Sequence, residues 1–230
     1  MSSIVELRDL HKHYKQGELE VKAVDNVSLT IEKGDFAALC GPSGSGKTSI
    51  LNLIGGLDSV TSGKVILEGI DLSALANGEL AEIRKNRIGF VFQAYNLIPV
   101  MTAYENAAFV LDLQGVDPAV SRAQVMKTLA DVGLAGLEDR RPDQMSGGQQ
   151  QRVAIARAIV TRPAIVLADE PTANVDSKTA ESLLDLMETL NREQGVTFLF
   201  STHDQHVMDR AKRIIHILDG QVESDERKAV

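Results

Sequence analysis

One stretch of the chain combines glycines, a lysine and a hydroxyl group in a spacing suited to binding phosphate. Residues 41–48 match the pattern G-x-x-x-x-G-K-[ST]. The glycines let the backbone curl so that successive N–H groups point into one concavity, where phosphate oxygens can sit. Lys47 can reach the β- and γ-phosphates, and the Thr48 hydroxyl can bind Mg²⁺. The stretch therefore predicts a nucleoside triphosphate site made by Gly41, Pro42, Ser43, Gly44, Ser45, Gly46, Lys47 and Thr48.

Two adjacent carboxylates form a second candidate site. Asp169 and Glu170 directly follow the apolar run 165–168, which is typical of a buried strand. At the carboxyl end of a strand they would face the crevice where open α/β sheets bind their ligands. Asp169 would hold Mg²⁺ through water, and Glu170 would polarise the attacking water. Alone, such a pair is as often a solvated strand end, but together with the phosphate loop it predicts hydrolysis.

A third candidate is the start of a helix. Ser146, Gly147, Gly148 and Gln149 open a segment with helical spacing, and Ser146 is predicted to cap it. The exposed N–H groups and the dipole of such a helix attract anions. Because the phosphate loop already serves one nucleotide, a second anion site makes sense if it faces a nucleotide held by another copy of the chain. The alternative is an ordinary capped helix with a glycine-rich entry.

Strands and helices alternate around these motifs. Apolar runs predict strands at 4–10, 23–31, 36–40, 165–168, 196–201 and 214–218. Helical spacing predicts helices at 48–57, 120–132, 149–160 and 177–193. This alternation implies a parallel sheet covered on both faces. The charged residues 224–230 are expected to be frayed.

Composition narrows the classes of function. The 230 residues include 24 Lys and Arg against 32 Asp and Glu, a net charge of −8, which argues against nucleic acid as the main partner. No apolar run approaches the about 20 residues needed to cross a bilayer, and no signal peptide is visible. The single cysteine, Cys40, fits a reducing compartment and is interpreted as a core residue. We expect a cytoplasmic protein whose membrane role comes through a partner.

In their order along the chain, these motifs resemble the nucleotide-binding domain of ATP-binding cassette (ABC) transporters. The resemblance extends over about residues 4–222. The phosphate loop matches the Walker A motif, and Asp169 with Glu170 matches the Walker B motif and its catalytic glutamate. Residues 146–149 match the family signature, although Met145 stands before them where the family usually has Leu.

Four further positions match weaker motifs of the same family. Tyr14 matches the aromatic residue that stacks on adenine, and Gln93 matches the Q-loop, which senses the metal. Asp176 lies in a segment similar to the D-loop, and His203 matches the switch histidine that contacts the γ-phosphate. Alone, Tyr14 is more often a packing or surface residue, His203 a hydrogen-bonded structural histidine, and Gln93 a residue without a role. Their order relative to the stronger motifs favours the functional interpretation.

The resemblance implies a fold and a mode of action. The fold is α/β, with a phosphate-loop NTPase core, an antiparallel β lobe near the N-terminus, and an inserted α-helical lobe at about 94–155, all in one domain spanning 1–230. Two chains would sandwich two ATP molecules head to tail, each between the Walker A loop of one chain and the signature of the other. Mg²⁺ would be held by Thr48, Gln93 and Asp169, while Glu170, His203 and Lys47 would be catalytic. The dimer would drive a separate membrane permease from the cytoplasmic face of the inner membrane.

Residues 54–58, 92–99 and 17–24 look like the group that serves lipoprotein release, macrolide export and cell division. This implies export or extraction of lipophilic cargo, or alternatively mechanotransmission to a periplasmic or cell-wall partner. A soluble cassette protein of DNA repair or translation and a non-catalytic binding module are further alternatives. The first usually carries two cassettes or long insertions, and the second does not need Lys47 and Glu170 together. An exposed docking surface for the permease is expected among Tyr95, Leu97, Ile98 and Met101.

Overall fold

The computed structural model describes residues 2–17 and 19–228. Elements are numbered in chain order. The strands are β1 (Ser3–Gln16), β2 (Leu19–Glu32), β3 (Phe36–Cys40), β4 (Ser62–Leu67), β5 (Ile70–Asp71), β6 (Ile88–Val91), β7 (Ile165–Asp169), β8 (Phe198–Thr202), β9 (Arg213–Leu218) and β10 (Gln221–Arg227). The helices are α1 (Lys47–Ile54), α2 (Asn77–Arg87), α3 (Ala103–Leu113), α4 (Pro118–Asp131), α5 (Gly147–Ile159), α6 (Ser177–Gln194) and α7 (Gln205–Arg210).

The strands form two sheets, which confirms the predicted α/β class with an antiparallel β lobe. The lobe sheet has the order β2-β1-β4-β5 and is antiparallel throughout. The core sheet has the order β10-β9-β3-β8-β7-β6, in which every neighbouring pair is parallel except β9 with β10. Parallel strands leave both faces of the sheet to be covered, and helices cover them.

Two apolar clusters lie on the two faces of the core sheet, and β3 contributes to both. Phe36, Ala38 and Cys40 belong to the cluster that includes the buried faces of α3, α4, α5 and α6. Ala37 and Leu39 belong to the cluster shared with α1 and the β lobe. Successive side chains of a strand point to opposite faces, so a fully buried five-residue strand divides between two cores.

The C-terminal segment is ordered as far as it is described, so the expectation of fraying is wrong for Ser224–Arg227. These residues belong to β10, which pairs with β9. Arg213 on β9 binds Asp225 through two bonds of 2.7 and 2.6 Å, and Arg227 binds Asp35 at 3.1 Å. The charged side chains are therefore paired across strands instead of solvated. Ala229 and Val230 lie outside the described residues.

Most predicted elements are present with shifted ends, while several elements were missed. β1 runs from Ser3 to Gln16, well past the predicted end at residue 10, and so includes Tyr14. Helix α2 was missed because its sequence is mostly polar: Leu80 and Ile83 pack against the core, but none of its residues is fully buried. Cys40 is buried, as predicted. In the described parts of the chain, no helix is both long and apolar enough to cross a membrane.

Candidate nucleotide-binding site

A cleft of about 570 Å³ lies at the carboxyl ends of β3, β7 and β8. Its lining unites residues from five separate parts of the sequence. The lining residues are Ala23, Pro42, Ser43, Gly44, Gly46, Lys47, Thr48, Ser49, Gln93, Asp169, Glu170, Ala173, Ser201 and His203. The cleft therefore brings the predicted phosphate loop together with the predicted metal and catalytic side chains.

The phosphate loop joins β3 to α1, as its pattern requires. Gly46 has φ of 104°, in the left-handed region, and a Cβ atom there would collide with the carbonyl oxygen of Ala23. Only glycine therefore fits at the entry to α1. The ammonium of Lys47 donates to the carbonyl oxygens of Gly41 and Pro42, each at 2.8 Å. Ser45 is buried beneath the loop.

Oxygen ligands suited to Mg²⁺ are close to this loop. The Thr48 hydroxyl donates to Oδ1 of Asp169 at 3.1 Å, and Gln93 lines the same cleft. Hydroxyl, carboxylate and amide oxygens are the ligands that Mg²⁺ takes, usually with water and substrate phosphate. The donor set therefore fits this ion.

Glu170 has a constrained position beside His203. Its backbone has φ of 45°, in the left-handed region that a non-glycine residue rarely adopts. Oε1 lies 2.7 Å from Nδ1 of His203, and Oε2 accepts a bond from the Thr202 hydroxyl at 3.3 Å. Such strained backbone is often found at functional sites, where the surrounding contacts hold it. The carboxylate is thus fixed at the end of β7, facing the cleft.

Tyr14 lies outside the residues that line the cleft and is part of a small polar network. Its hydroxyl donates to Oδ2 of Asp58 at 2.8 Å, and the Lys12 ammonium lies 4.8 Å from its ring centroid. The same ammonium donates to Oδ1 of Asp58 at 2.7 Å. Burial and the bond to Asp58 raise the pKa of the Tyr14 hydroxyl. Tyr14 is 39% exposed, so part of its side chain is open to a stacking partner.

The signature residues form a capped helix start on a different surface. Ser146 Oγ accepts from the Gln149 N–H at 3.3 Å, and Gln149 Oε1 accepts from the Ser146 N–H at 2.9 Å, which confirms Ser146 as the cap of α5. A Cβ on Gly148 would collide with the Thr179 side chain, and Gly147 faces the Tyr95 hydroxyl. None of residues 146–149 lines the cleft. The structure thus separates the predicted site residues into two groups.

Asp176 belongs to neither group in this structure, because it caps helix α6. Its carboxylate accepts from the Thr179 N–H at 3.0 Å and from the Thr179 hydroxyl at 2.6 Å. These bonds lower the pKa of Asp176.

Two polar cleft residues, Ser201 and Ser49, received no role from the sequence. Ser201 pairs in register with Asp169 across β7 and β8, and its hydroxyl is buried with no hydrogen-bond partner in the part of the chain that the structure describes. Ser49 follows Thr48, the predicted metal ligand, on α1. A signal for Ser201 was available, since it directly precedes the Thr202-His203 pair at the end of a predicted strand.

The segment after Gln93 is tied to the signature helix and to the D-loop region. The Tyr95 hydroxyl donates to the Asn174 carbonyl oxygen at 3.0 Å, and the Asn174 amide donates to the Gln93 carbonyl oxygen at 2.9 Å. Arg157 of α5 donates to the carbonyl oxygens of Tyr95 and Asn96. A displacement of this segment would therefore also displace the signature helix α5 and the D-loop region.

The apolar side chains of this segment are less exposed than expected. Tyr95, Leu97, Ile98 and Met101 are half-buried, and Leu97 packs against the apolar cluster of the helical side. Val100 is the exposed residue, at 75%. An adjacent groove of about 390 Å³ is lined by apolar residues that include Phe92, Phe109 and Leu113.

Comparison with known proteins agrees with the fold. Residues 24–173 match the family model described as ABC transporter. An uncharacterized ABC transporter ATP-binding protein from Thermotoga maritima is 45% identical over 100% of this chain and 98% of its own length. A macrolide export ATP-binding/permease protein MacB from Syntrophobacter fumaroxidans is 44% identical over 96% of this chain, which covers 31% of that protein.

Among solved structures, the chain is similar to the ATP-binding cassette MJ0796, described as a dimer in a post-hydrolysis state bound to ADP and Pi. The TM-score is 0.90 at 43% identity, covering 99% of this chain and 100% of the other. The fold, the cleft and these relatives define an ATPase domain of the cassette type. The chain belongs to the ABC transporter family.

Proposed function

We propose that this ATPase domain works as a head-to-tail dimer that closes over two ATP molecules and drives a separate membrane permease. The observation that carries the proposal is the separation of the cleft from the signature helix. Lys47 and Glu170 line the cleft, whereas Ser146 caps a helix whose N-terminus lies elsewhere on the surface. The N-terminus of this helix attracts phosphate, so in the dimer it would bind the nucleotide held by the partner chain.

Six cleft residues have a defined task in the proposed hydrolysis, and Thr202 and Tyr14 assist from outside the cleft lining. Lys47 neutralises charge on the γ-phosphate, and Glu170 takes a proton from water, held in place by His203 and Thr202. Thr48, Gln93 and Asp169 hold Mg²⁺, which when bound neutralises charge on the phosphate oxygens. Tyr14 offers the exposed part of its side chain to adenine, while Asp58 fixes its hydroxyl.

Dimerisation is tested with paired substitutions at two similar helix caps. Ser146→Asp keeps a favoured capping residue but adds negative charge where a phosphate would bind. Thr102 caps α3 with the same type of capping box and serves as the control in Thr102→Asp. Both are made in the Glu170→Gln background, in which ATP is expected to persist.

In size-exclusion chromatography with light scattering, the background protein and the Thr102 control should dimerise with MgATP and dissociate with ADP. The Ser146→Asp variant should remain monomeric with either nucleotide. A background protein that stays monomeric with MgATP at high protein concentration and with its permease present, or a Ser146→Asp protein that dimerises normally, contradicts the proposed arrangement.

The permease is proposed to dock at the groove beside the Gln93 segment. The groove carries apolar side chains, among them Leu113, which is 57% exposed. Gln93 and Tyr95 connect this region to the cleft through Asn174. These hydrogen bonds would transmit closure of the cleft to a protein bound in the groove.

Docking is tested by placing a charge in the groove. Leu113→Glu should abolish recovery of an integral membrane partner from detergent-solubilised membranes of the host. Val120→Glu, at a position 55% exposed on α4 in a different groove, should leave recovery unchanged. Equal recovery with both variants would place the docking surface elsewhere. Because several relatives are named macrolide export proteins, we propose lipophilic cargo that is exported or extracted.

A further inference from the structure

We propose that His11, His13 and Asp25 form a binding site for a divalent transition-metal ion of the zinc class, on the β lobe and separate from the ATP cleft. One ligand atom from each of the three side chains lies within 4.8 Å of the other two. Two imidazoles with one carboxylate are a common donor set for Zn²⁺. None of the three residues lines the cleft.

The backbone of β1 and β2 explains how the three side chains meet. His11 and His13 are two residues apart on β1, so they share one face of the strand, while Lys12 and Tyr14 point to the other. Leu10 pairs with Val27 and Lys12 with Val24, so β2 has one extra residue opposite this part of β1. Such a bulge redirects side chains locally. It brings the carboxylate of Asp25 against the ring of His11.

The ring of His13 is oriented as a metal ligand would be. Its Nδ1 lies 3.2 Å from Oε1 of Glu20. A carboxylate that accepts from one ring nitrogen leaves the lone pair of the other nitrogen free for a metal, and such outer carboxylates are typical of metal-binding histidines. Nε2 of His13 is buried and has no hydrogen-bond partner among the described residues. A buried nitrogen without a partner is unfavourable, and a bound cation would satisfy it.

The ring of His11 has conflicting neighbours. Its Nδ1 lies 3.1 Å from Oδ1 of Asp25 and 3.3 Å from the backbone N–H of Asn26. The carboxylate can only accept, and the N–H can only donate, so no single tautomer of the neutral ring satisfies both. The nearby Lys22 ammonium lies 3.6 Å from the other oxygen, Oδ2, and its side chain is 57% exposed. Oδ1 of Asp25 is therefore the oxygen that remains to bind a cation.

Only a small contraction is needed to complete the site. Zinc bonds of about 2.0–2.2 Å separate the ligands of a tetrahedral ion by about 3.4 Å. The separations of up to 4.8 Å must close by at most about 1.4 Å, which rotation of two rings and one carboxylate can supply. Water would take the fourth position. The bound ion would link β1 to β2, two residues from Ala23 in the cleft lining.

The site is tested by zinc titration of tag-free protein in an isothermal calorimeter, with MgADP present to occupy the cleft. We expect one equivalent of zinc per chain, with affinity at least about 100-fold weaker in His13→Gln and in Asp25→Asn, because each loses one ligand or its charge. His206→Gln, which removes an exposed histidine on α7, should bind zinc as the unmodified protein does. Circular dichroism and ADP affinity check that the variants are folded.

A second measurement does not depend on the variants. Co²⁺ added to the unmodified protein should give the visible absorption of a tetrahedral site, and zinc should displace it. The proposal is overturned if the unmodified protein takes up no zinc at micromolar concentrations, or if Co²⁺ gives only a six-coordinate spectrum. It is also overturned if folded His13→Gln protein binds zinc like the His206→Gln control.

Discussion

Glu170→Gln changes one carboxylate oxygen for an amide group and leaves the size of the side chain almost unaltered. The remaining oxygen and the new amide can still bond to His203 and Thr202, which hold the carboxylate at 2.7 and 3.3 Å in this structure. The constrained backbone at this residue is stabilised by the same contacts. The substitution should therefore remove the ability to accept a proton and leave the shape of the cleft intact.

The size of the effect follows from the role assigned to the carboxylate. General-base catalysis contributes about 10²–10⁴ in rate, which corresponds to about 2.7–5.4 kcal/mol in the activation barrier. Hydrolysis by the variant should fall by that factor at saturating MgATP. ATP affinity should be unchanged or higher, because the variant removes a negative charge near the γ-phosphate. A loss of turnover with retained binding is the expected pattern.

Phosphate release and equilibrium ATP binding measure the two quantities separately. Thr202→Val is the matched control, because it removes the hydroxyl contact to Oε2 and keeps the carboxylate. It should lower turnover less than Glu170→Gln does, because the lost bond of 3.3 Å is long and the carboxylate that accepts the proton remains. Turnover of a folded Glu170→Gln protein within about 10-fold of the unmodified enzyme would refute the assignment of Glu170 as the base.

Three further predictions concern other parts of the chain. Lys47→Ala should weaken ATP binding by about 10- to 150-fold, the worth of a charged hydrogen bond, and unchanged affinity in a calorimetric titration would contradict its assigned role. Asp35→Ala should lower the free energy of unfolding, measured in urea, by about 3 kcal/mol. The reason is that Arg213 lies 3.1 Å from Asp35 and both side chains are less than 10% exposed. An unchanged urea midpoint would show that Asp225 alone suffices to pair with Arg213. Burial raises the pKa of the Cys40 thiol to about 11, so the reactive thiolate is scarce at pH 8. Labelling by a thiol reagent should therefore be slow in the folded protein and fast in urea. Rapid labelling of the folded protein would contradict the burial of Cys40.

The sequence by itself determined the parts of the site that depend on near neighbours. The position of the phosphate loop was predictable because its glycines, Lys47 and Thr48 lie together between an apolar strand and a helix. The capping of α5 by Ser146 was predictable for the same reason, since the cap and its partner Gln149 are three residues apart. Local bonds of this kind need no knowledge of the rest of the fold.

Only the tertiary structure decided which distant residues meet. The charged residues of Ser224–Arg227 favoured a frayed end. The segment is instead a strand, because Arg213 on the paired strand neutralises Asp225 and the distant Asp35 neutralises Arg227. Leu97 looked available to a partner and is instead packed against a core that helices distant in sequence build. The bulge that brings Asp25 to His11 likewise depends on the register of two paired strands. Burial and pairing are set by contacts across the whole chain, so no local pattern could have determined them.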